Sequence, residues 1–390
     1  MDLPDPATPM TMTTRGGSMG SIVAAPHCQI KPELGIAAAG DKRLNHSMKA
    51  LLLTAPSTFE YADMPDLIAG PGEVLIDIKA CGICGSDIHG MDGRSGRRIP
   101  PIVMGHEAAG VIAGLGEGVE DWQIGERVTF DSTEFCGACE ACGQGNFNLC
   151  SNRRVLGVSC GDYRRHGCFA AQIALPTRIL HRIPDSLSFE KAAFAEPVAI
   201  ALHAVNLAPP AGDGPAIVIG AGLIGLLVIQ ALKARGWETV IAVDLDESRL
   251  VLAGELGASQ VFSATEENLA TRLREICGGD GAQVAFEVVG AAAPVDLAIR
   301  SVRKGGTVVL VGNLQASVPM PLQEVVTRQI TLRGSCACAG EYPEAIRRIG
   351  DGSIRVEPLL SATVPLGAGA EWFARLANNT GGLLKVILTP

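Results

Sequence analysis

The sequence predicts an α/β protein built from an irregular β-rich part and a doubly wound parallel sheet. Two observations carry this. From about Pro197 onward, apolar runs alternate with helix-period segments: Ala216 to Ile219, Thr239 to Val243, Gln260 to Phe262, Val284 to Val288 and Thr307 to Val311. That is the rhythm of strand, helix and strand in a parallel sheet. From Met48 to about Ala195, by contrast, short β-like runs (Val74 to Ile78, Val111 to Ala113, Arg127 to Phe130, Ala170 to Ala174) are split by Gly, Pro and Asp clusters, as in irregular β-domains. With 390 residues, 47% of them hydrophobic, the chain has enough apolar side chain for two cores.

Taken in order, residues 1 to 47 carry scattered prolines with no sustained period. Such sequence buries too little apolar area to offset ordering, and a mobile, dispensable extension is expected. KALLLTAPSTFEY then opens the first strand. After about Cys338 a helix (Tyr342 to Ile349) and short strands follow, ending in Leu384 to Leu388.

Charge excludes several partners. The 32 Lys and Arg stand against 41 Asp and Glu, a net charge of -9, and basic residues run no longer than pairs such as Arg97-Arg98 and Arg153-Arg154. Neither nucleic acid nor an anionic membrane is an expected partner. The apolar stretch Ala216 to Ala234 has nearly the length of a bilayer span, but its three glycines and β-rich opening mark a buried strand feeding a helix. Twelve cysteines without a secretory leader are read as thiols of a reducing cytoplasm.

Three constellations carry chemistry. Gly220-Ala-Gly222-Leu223-Ile224-Gly225 follows the strand Ala216 to Ile219 and opens a helix. Gly220 suits the tight turn, Gly222 the approach of a pyrophosphate to the backbone, and Gly225 close packing of helix on strand. The phosphates would meet the positive end of the helix. Asp244, 24 residues past Gly220 at the end of the next strand, can accept both ribose hydroxyls and repel a 2′-phosphate, so NAD is expected in preference to NADP. Next, Cys136, Cys139, Cys142 and Cys150 fall within 15 residues, a set that closes a tetrahedral structural zinc site. An iron–sulfur cluster is the alternative for such thiolates. The third set is Cys84, His106, Glu107 and the lone carboxylate Glu196 in Ala195-Glu196-Pro197, which supplies the three protein ligands and one exchangeable position of a catalytic zinc.

The succession of GICGSDIH, GHEAAGVI, the four-cysteine lobe, AEP and IGAGLIG resembles the zinc-dependent medium-chain alcohol dehydrogenases over about residues 48 to 390. The AEP carboxylate, at a position where other alcohol dehydrogenases carry a cysteine, resembles the sorbitol and threonine dehydrogenase branch. The resemblance implies a GroES-like catalytic domain (48–197, completed by 338–390), a Rossmann NAD-binding domain (198–337) and zinc in the cleft between them. It implies Cys84, His106 and either Glu107 or Glu196 as zinc ligands, Asp87 as the residue orienting the metal site, and Ser86 with His89 as a proton relay to solvent. Arg249 resembles the cation beside the adenosine ribose, and Val311, Gly312 and Asn313 resemble the backbone against the nicotinamide.

Two zinc ions and one NAD per chain follow, with a small-molecule alcohol as substrate and a homodimer or homotetramer as the assembly. The expected reaction is hydride transfer between NAD and a secondary alcohol: a polyol, a sugar derivative or a vicinal diol. A 3-hydroxy amino acid substrate, or a non-catalytic zinc and NAD-binding protein of the same fold, are the alternatives. Cys81, Cys336 and Cys338 are read as small packing thiols. The last two stand where the polyol branch often presents larger side chains to substrate.

Overall fold

The computed structural model describes residues 47–212, 214–378 and 381–390. The expected N-terminal extension therefore lies outside the described residues, apart from Ser47. The chain enters on the strand Ser47–Ala55, which pairs antiparallel with Thr58–Pro65 and with Ile102–Val103.

A seven-stranded sheet follows, in which Glu73–Gly82 pairs with Glu107–Leu115, Gln172–Pro176 and Lys385–Thr389. The last of these comes from the far end of the chain, so the C-terminal strands complete the sheet that the N-terminal half begins. Burial alternates along part of the Glu73–Gly82 strand and becomes continuous at Ala80, Cys81 and Gly82, where Lys385–Thr389 and Glu107–Leu115 close over it.

The six-stranded sheet is entirely parallel. Its order is Gln260–Ser263, Val240–Asp244, Ala216–Ile219, Ala282–Glu287, Val302–Leu310, Thr331–Gly334. The five expected strands are all present, each within a few residues of its expected limits except Val302–Leu310, which starts five residues earlier. The edge strand Thr331–Gly334 was not among them; it holds one partly buried residue, Leu332, and lacks the apolar run by which buried strands are recognised. Every residue of Ala216–Ile219 is buried, as both faces of a parallel sheet require. Gly220 has φ +99°, open to glycine and strained for other residues. A Cβ on Gly225 would lie 1.8 Å from the Gly220 carbonyl oxygen, so only glycine lets the helix Leu223–Ala234 pack this closely.

The helix Ala195–Asn206 joins the two sheets. Nine of its twelve residues are buried, and Val198, Ala199 and Leu202 share one core with Ala80 and Ala109 of the seven-stranded sheet and with Ala216 and Val218 of the parallel one. Its first turn, which carries Glu196, is thereby fixed between the sheets.

Candidate active site

Cys84 lies two residues past the end of the strand Glu73–Gly82 and caps the short helix Gly85–Gly90. Its sulfur accepts from the Ser86 N–H, while the Asp87 Oδ2 accepts from the Cys84 N–H at 3.3 Å. This reciprocal capping explains why the GICGSDIH spacing places Cys84 and Asp87 together. His106 and Glu107 lie at the start of Glu107–Leu115, on the neighbouring strand, where Glu107 pairs with Gly82. One ligand atom from each of Cys84, His106 and Glu107 falls within 4.8 Å of the others.

The polar atoms of this cluster are unbalanced in a way that a cation would correct. Glu107 is 1% exposed and its Oε1 has no hydrogen-bond partner, although a buried carboxylate oxygen is costly to leave unpaired. Its Oε2 is bound by Lys385 Nζ, which also donates to the Ile83 carbonyl at 3.0 Å. Burial acts to lower the Lys385 pKa, but the charges of Glu107 and Cys84 prevail and hold it above the usual lysine value. A thiol, an imidazole and a half-satisfied carboxylate are the donor set of a zinc with an open position.

Asp87 is fully buried and orients this set. Its Oδ1 accepts from Arg98 Nη2 at 3.1 Å and stands 3.6 Å from His106 Nδ1. Arg98, 4% exposed, also donates to the Ser86 hydroxyl at 3.4 Å. Ser86 and His89 are both exposed on the same short helix, and no hydrogen bond joins them. Glu196 lies beside the cluster, outside the three-residue set, and its Oε1 accepts from Ser132 Oγ at 3.1 Å. Burial pushes its carboxyl up to about 7.

The second cysteine set is also assembled. Cys136, Cys139, Cys142 and Cys150 place their sulfurs within 4.8 Å of one another. Backbone N–H groups of Ala138 and Cys139 draw the Cys136 thiol down to about 6, toward the thiolate a metal requires, while burial pushes Cys142 up to about 12.

At the glycine loop, a Cβ on Gly222 would meet nothing within 4 Å. That is open space at the N-terminus of Leu223–Ala234, as a pyrophosphate requires. Asp244 braces the loop: its Oδ2 accepts from the Ala221 N–H at 2.6 Å and its Oδ1 from the Asp246 N–H at 2.9 Å. Arg249 sits on the following helix; its buried Nε makes no hydrogen bond and stands 3.8 Å from Asp246 Oδ2. Val311 and Gly312 both donate to the Glu287 carbonyl, at 2.8 and 3.0 Å, which fixes the Val311-Gly312-Asn313 segment at the end of its strand.

The sequence matches the description Alcohol dehydrogenase GroES-like domain over residues 70–185 and Zinc-binding dehydrogenase over residues 224–351. Sorbitol dehydrogenase of Bacillus subtilis (strain 168) is 32% identical over 350 residues, covering 88% of this chain and 98% of the relative. The chain belongs to the zinc-dependent medium-chain alcohol dehydrogenases. Among solved members, 2R,3R-butanediol dehydrogenase from Bacillus subtilis has a TM-score of 0.79 at 30% identity, covering 88% of this chain and 100% of that one. A zinc-binding dehydrogenase of Sinorhizobium meliloti 1021 bound to NADP has a TM-score of 0.81 at 29% identity, with coverage of 88% and 100%. As a zinc-dependent dehydrogenase, the protein is an oxidoreductase that uses zinc and a nicotinamide dinucleotide.

Sequence reasoning missed three residues of the site: Arg98, Ser132 and Lys385. Lys385 left a signal, since a lysine inside the apolar run LLKVIL is seldom buried without a partner. Cys81 and Cys338 are buried packing thiols, as expected. Cys336 departs from that reading: it is only partly buried and accepts from Arg153 Nη1 at 3.1 Å.

Proposed function

We propose that this chain oxidises the secondary alcohol of a polyol or vicinal diol with NAD, reversibly, in the cleft beside Cys84, His106 and Glu107. The observation that carries the reading is the buried, half-satisfied Glu107 carboxylate next to a thiol and an imidazole. The relatives named for sorbitol and for 2R,3R-butanediol support the choice of adjacent hydroxyls.

In this reading Cys84, His106 and Glu107 hold the catalytic zinc, with Glu196 as the alternative carboxylate, and Cys136, Cys139, Cys142 and Cys150 hold a structural one. Zinc there supplies Lewis acidity that lowers the pKa of a substrate hydroxyl. Asp87 fixes the His106 ring, and Arg98 fixes Asp87. Ser86 takes the hydroxyl proton and His89 releases it to solvent, both being exposed. Glu196, held by Ser132, offers a carboxylate to a second hydroxyl of the substrate. Gly220, Gly222, Leu223, Ile224 and Gly225 receive the pyrophosphate, Asp244 and Arg249 the adenosine ribose, and Val311, Gly312 and Asn313 the nicotinamide. Asp244 selects NAD by repelling a 2′-phosphate.

The corresponding organisation is a catalytic domain of residues 48–197 and 338–390 and an NAD-binding domain of 198–337, in a homodimer or homotetramer. A cytoplasmic location accords with the eleven unpaired cysteines among the described residues. No described helix is long and apolar enough to cross a membrane.

The test is an initial-rate survey with NAD over polyols, 2,3-butanediol, threonine and straight-chain primary alcohols. Vicinal polyols or diols should give the highest kcat/KM. Higher values for ethanol or 1-butanol than for every vicinal substrate would overturn the reading, and highest values for threonine would move the chain to the hydroxy amino acid class.

A further inference from the structure

The chain is acidic, with a net charge of -9, yet two touching segments beside Ser86 and Asp87 are rich in arginine. The segments 94–98 and 153–165 contain seven arginines. They are joined by the bridge between Arg98 and Ser159 and by the hydrogen bond from the Ser159 N–H to the Arg97 carbonyl at 3.2 Å. Arg94, Arg98 and Arg165 are neutralised by Asp92, Asp87 and Glu134. Arg97, Arg153, Arg154 and Arg164 have no carboxylate within ion-pair distance among the described residues. A cluster of uncompensated guanidinium groups raises the local concentration of anions.

Arg153 is the member of this cluster that reaches inward. Its Nη1 donates to the Asn148 carbonyl and to the Cys336 thiol at 3.1 Å. Neither partner carries a charge that cancels its own, and its Nε and Nη2 have no partner among the described residues. The loop it touches is tied by side-chain contacts. Asn148 Nδ2 donates to the Cys336 carbonyl at 2.7 Å, Ala337 is held at φ +51°, and the Cys338 thiol lies 3.9 Å from Asp131 Oδ2.

Arg153 immediately precedes the strand Arg154–Val155, which leads toward the reacting centre. Val155 pairs with Thr133, and the Leu156 N–H donates to the carbonyl of Ser132, the residue that binds Glu196. Arg153 lies three residues before Leu156, a span of at most about 10 Å. A half-buried cation therefore stands on the Glu196 side of the proposed zinc site, joined to it through Leu156 and Ser132, with its free edge unpaired.

We propose that the natural substrate is a polyol bearing an anionic group, a carboxylate or a phosphate ester, and that Arg153 receives that group. This rests on the polyol reading above and narrows its substrate class. A guanidinium presents two parallel N–H donors to two oxygens of either anion. It would anchor the charged end while the hydroxyl to be oxidised lies beside Cys84 and His106.

The experiment compares neutral and anionic substrates of one configuration: sorbitol, gluconate and sorbitol 6-phosphate, with the corresponding galacto and xylo series. NADH formation is followed with the zinc-loaded enzyme. In at least one series, an anionic member should exceed its neutral parent at least tenfold in kcat/KM, and that advantage should shrink as salt is raised. The phosphate and carboxylate arms decide which anion is preferred. Arg153→Gln should lower kcat/KM for the anionic member at least tenfold more than for the neutral one, chiefly through KM, and Arg153→Lys should retain part of the preference. Melting temperature and zinc content of both variants report whether the lobe stays folded. If neutral parents match or exceed the anionic members in every series, or if Arg153→Gln lowers both equally, the inference is overturned while the polyol reading stands. If no member of any series reduces NAD, the polyol reading itself fails and the inference with it.

Discussion

Replacing Lys385 by Met should destabilise the protein by about 3–5 kcal/mol, the usual result of removing one partner from a fully buried ion pair. Lys385 and Glu107 are each 1% exposed in their side chains, so water does not screen the charge left behind. Met preserves the apolar stem and removes only the ammonium, so cavity formation adds little. What remains is a buried Glu107 carboxylate whose Oε1 is already unpartnered and whose Oε2 has lost its donor. Urea denaturation of metal-stripped protein isolates this pair, because zinc would otherwise take part of the carboxylate's charge. The midpoint should fall by on the order of 1 M. A double-mutant cycle with Glu107→Gln separates the pair from its surroundings. Removing both charges should recover most of the loss, since replacing a buried pair by neutral groups is often nearly neutral. If the two single effects add to within ~0.5 kcal/mol, or if Lys385→Met alone costs less than ~1 kcal/mol, the Lys385–Glu107 contact does not balance this site.

Three further outcomes follow from the same geometry. Elemental analysis should find two zinc ions per chain; Cys150→Ser should leave one and lower the melting temperature, whereas Cys84→Ser should abolish turnover with far-UV circular dichroism unchanged. Asp244→Gly should relax the preference for NAD, and comparable kcat/KM with NADP in the unaltered enzyme would contradict the role given to that carboxylate. Asp131 is a pH probe: burial raises its carboxyl to about 7, so its ionised form opposes folding increasingly as pH rises from its unfolded value near 3.8 toward 7, and the penalty is constant above that. Asp131→Asn should therefore gain stability relative to the parent by about 2–3 kcal/mol between pH 5 and pH 8, and a difference independent of pH in denaturant titrations would refute the assignment.

Features built from residues close along the chain were legible before any fold was known. The four cysteines of the structural lobe fall within 15 residues, so the turns of that segment gather them without help from the rest of the fold. The capping of the Gly85–Gly90 helix by Cys84 and Asp87 is a three-residue relation. The glycine fingerprint is likewise local: the turn at Gly220 and the contact that forbids a side chain on Gly225 arise within one strand–helix unit. Even Asp244, 24 residues beyond, is carried to the loop by the next strand of the same unit. The apolar periodicities of the parallel sheet were legible for the same reason, except at Thr331–Gly334, whose exposed edge carries little apolar signal.

Which distant charges meet depends on how the sheets assemble. Lys385 reaches Glu107 across 278 residues because Lys385–Thr389 pairs with one edge of Glu73–Gly82 while Glu107–Leu115 pairs with the other. Ser132 meets Glu196 across 64 residues, and Arg153 meets Cys336 across 183. Sequence spacing holds no record of such distances; they depend on strand order, on register, and on the helix Ala195–Asn206 packed between the sheets. A side chain's charge and its period along the chain are properties of its own segment. Whether that charge is buried, and against which partner, is set by the surfaces that the completed sheets bring together.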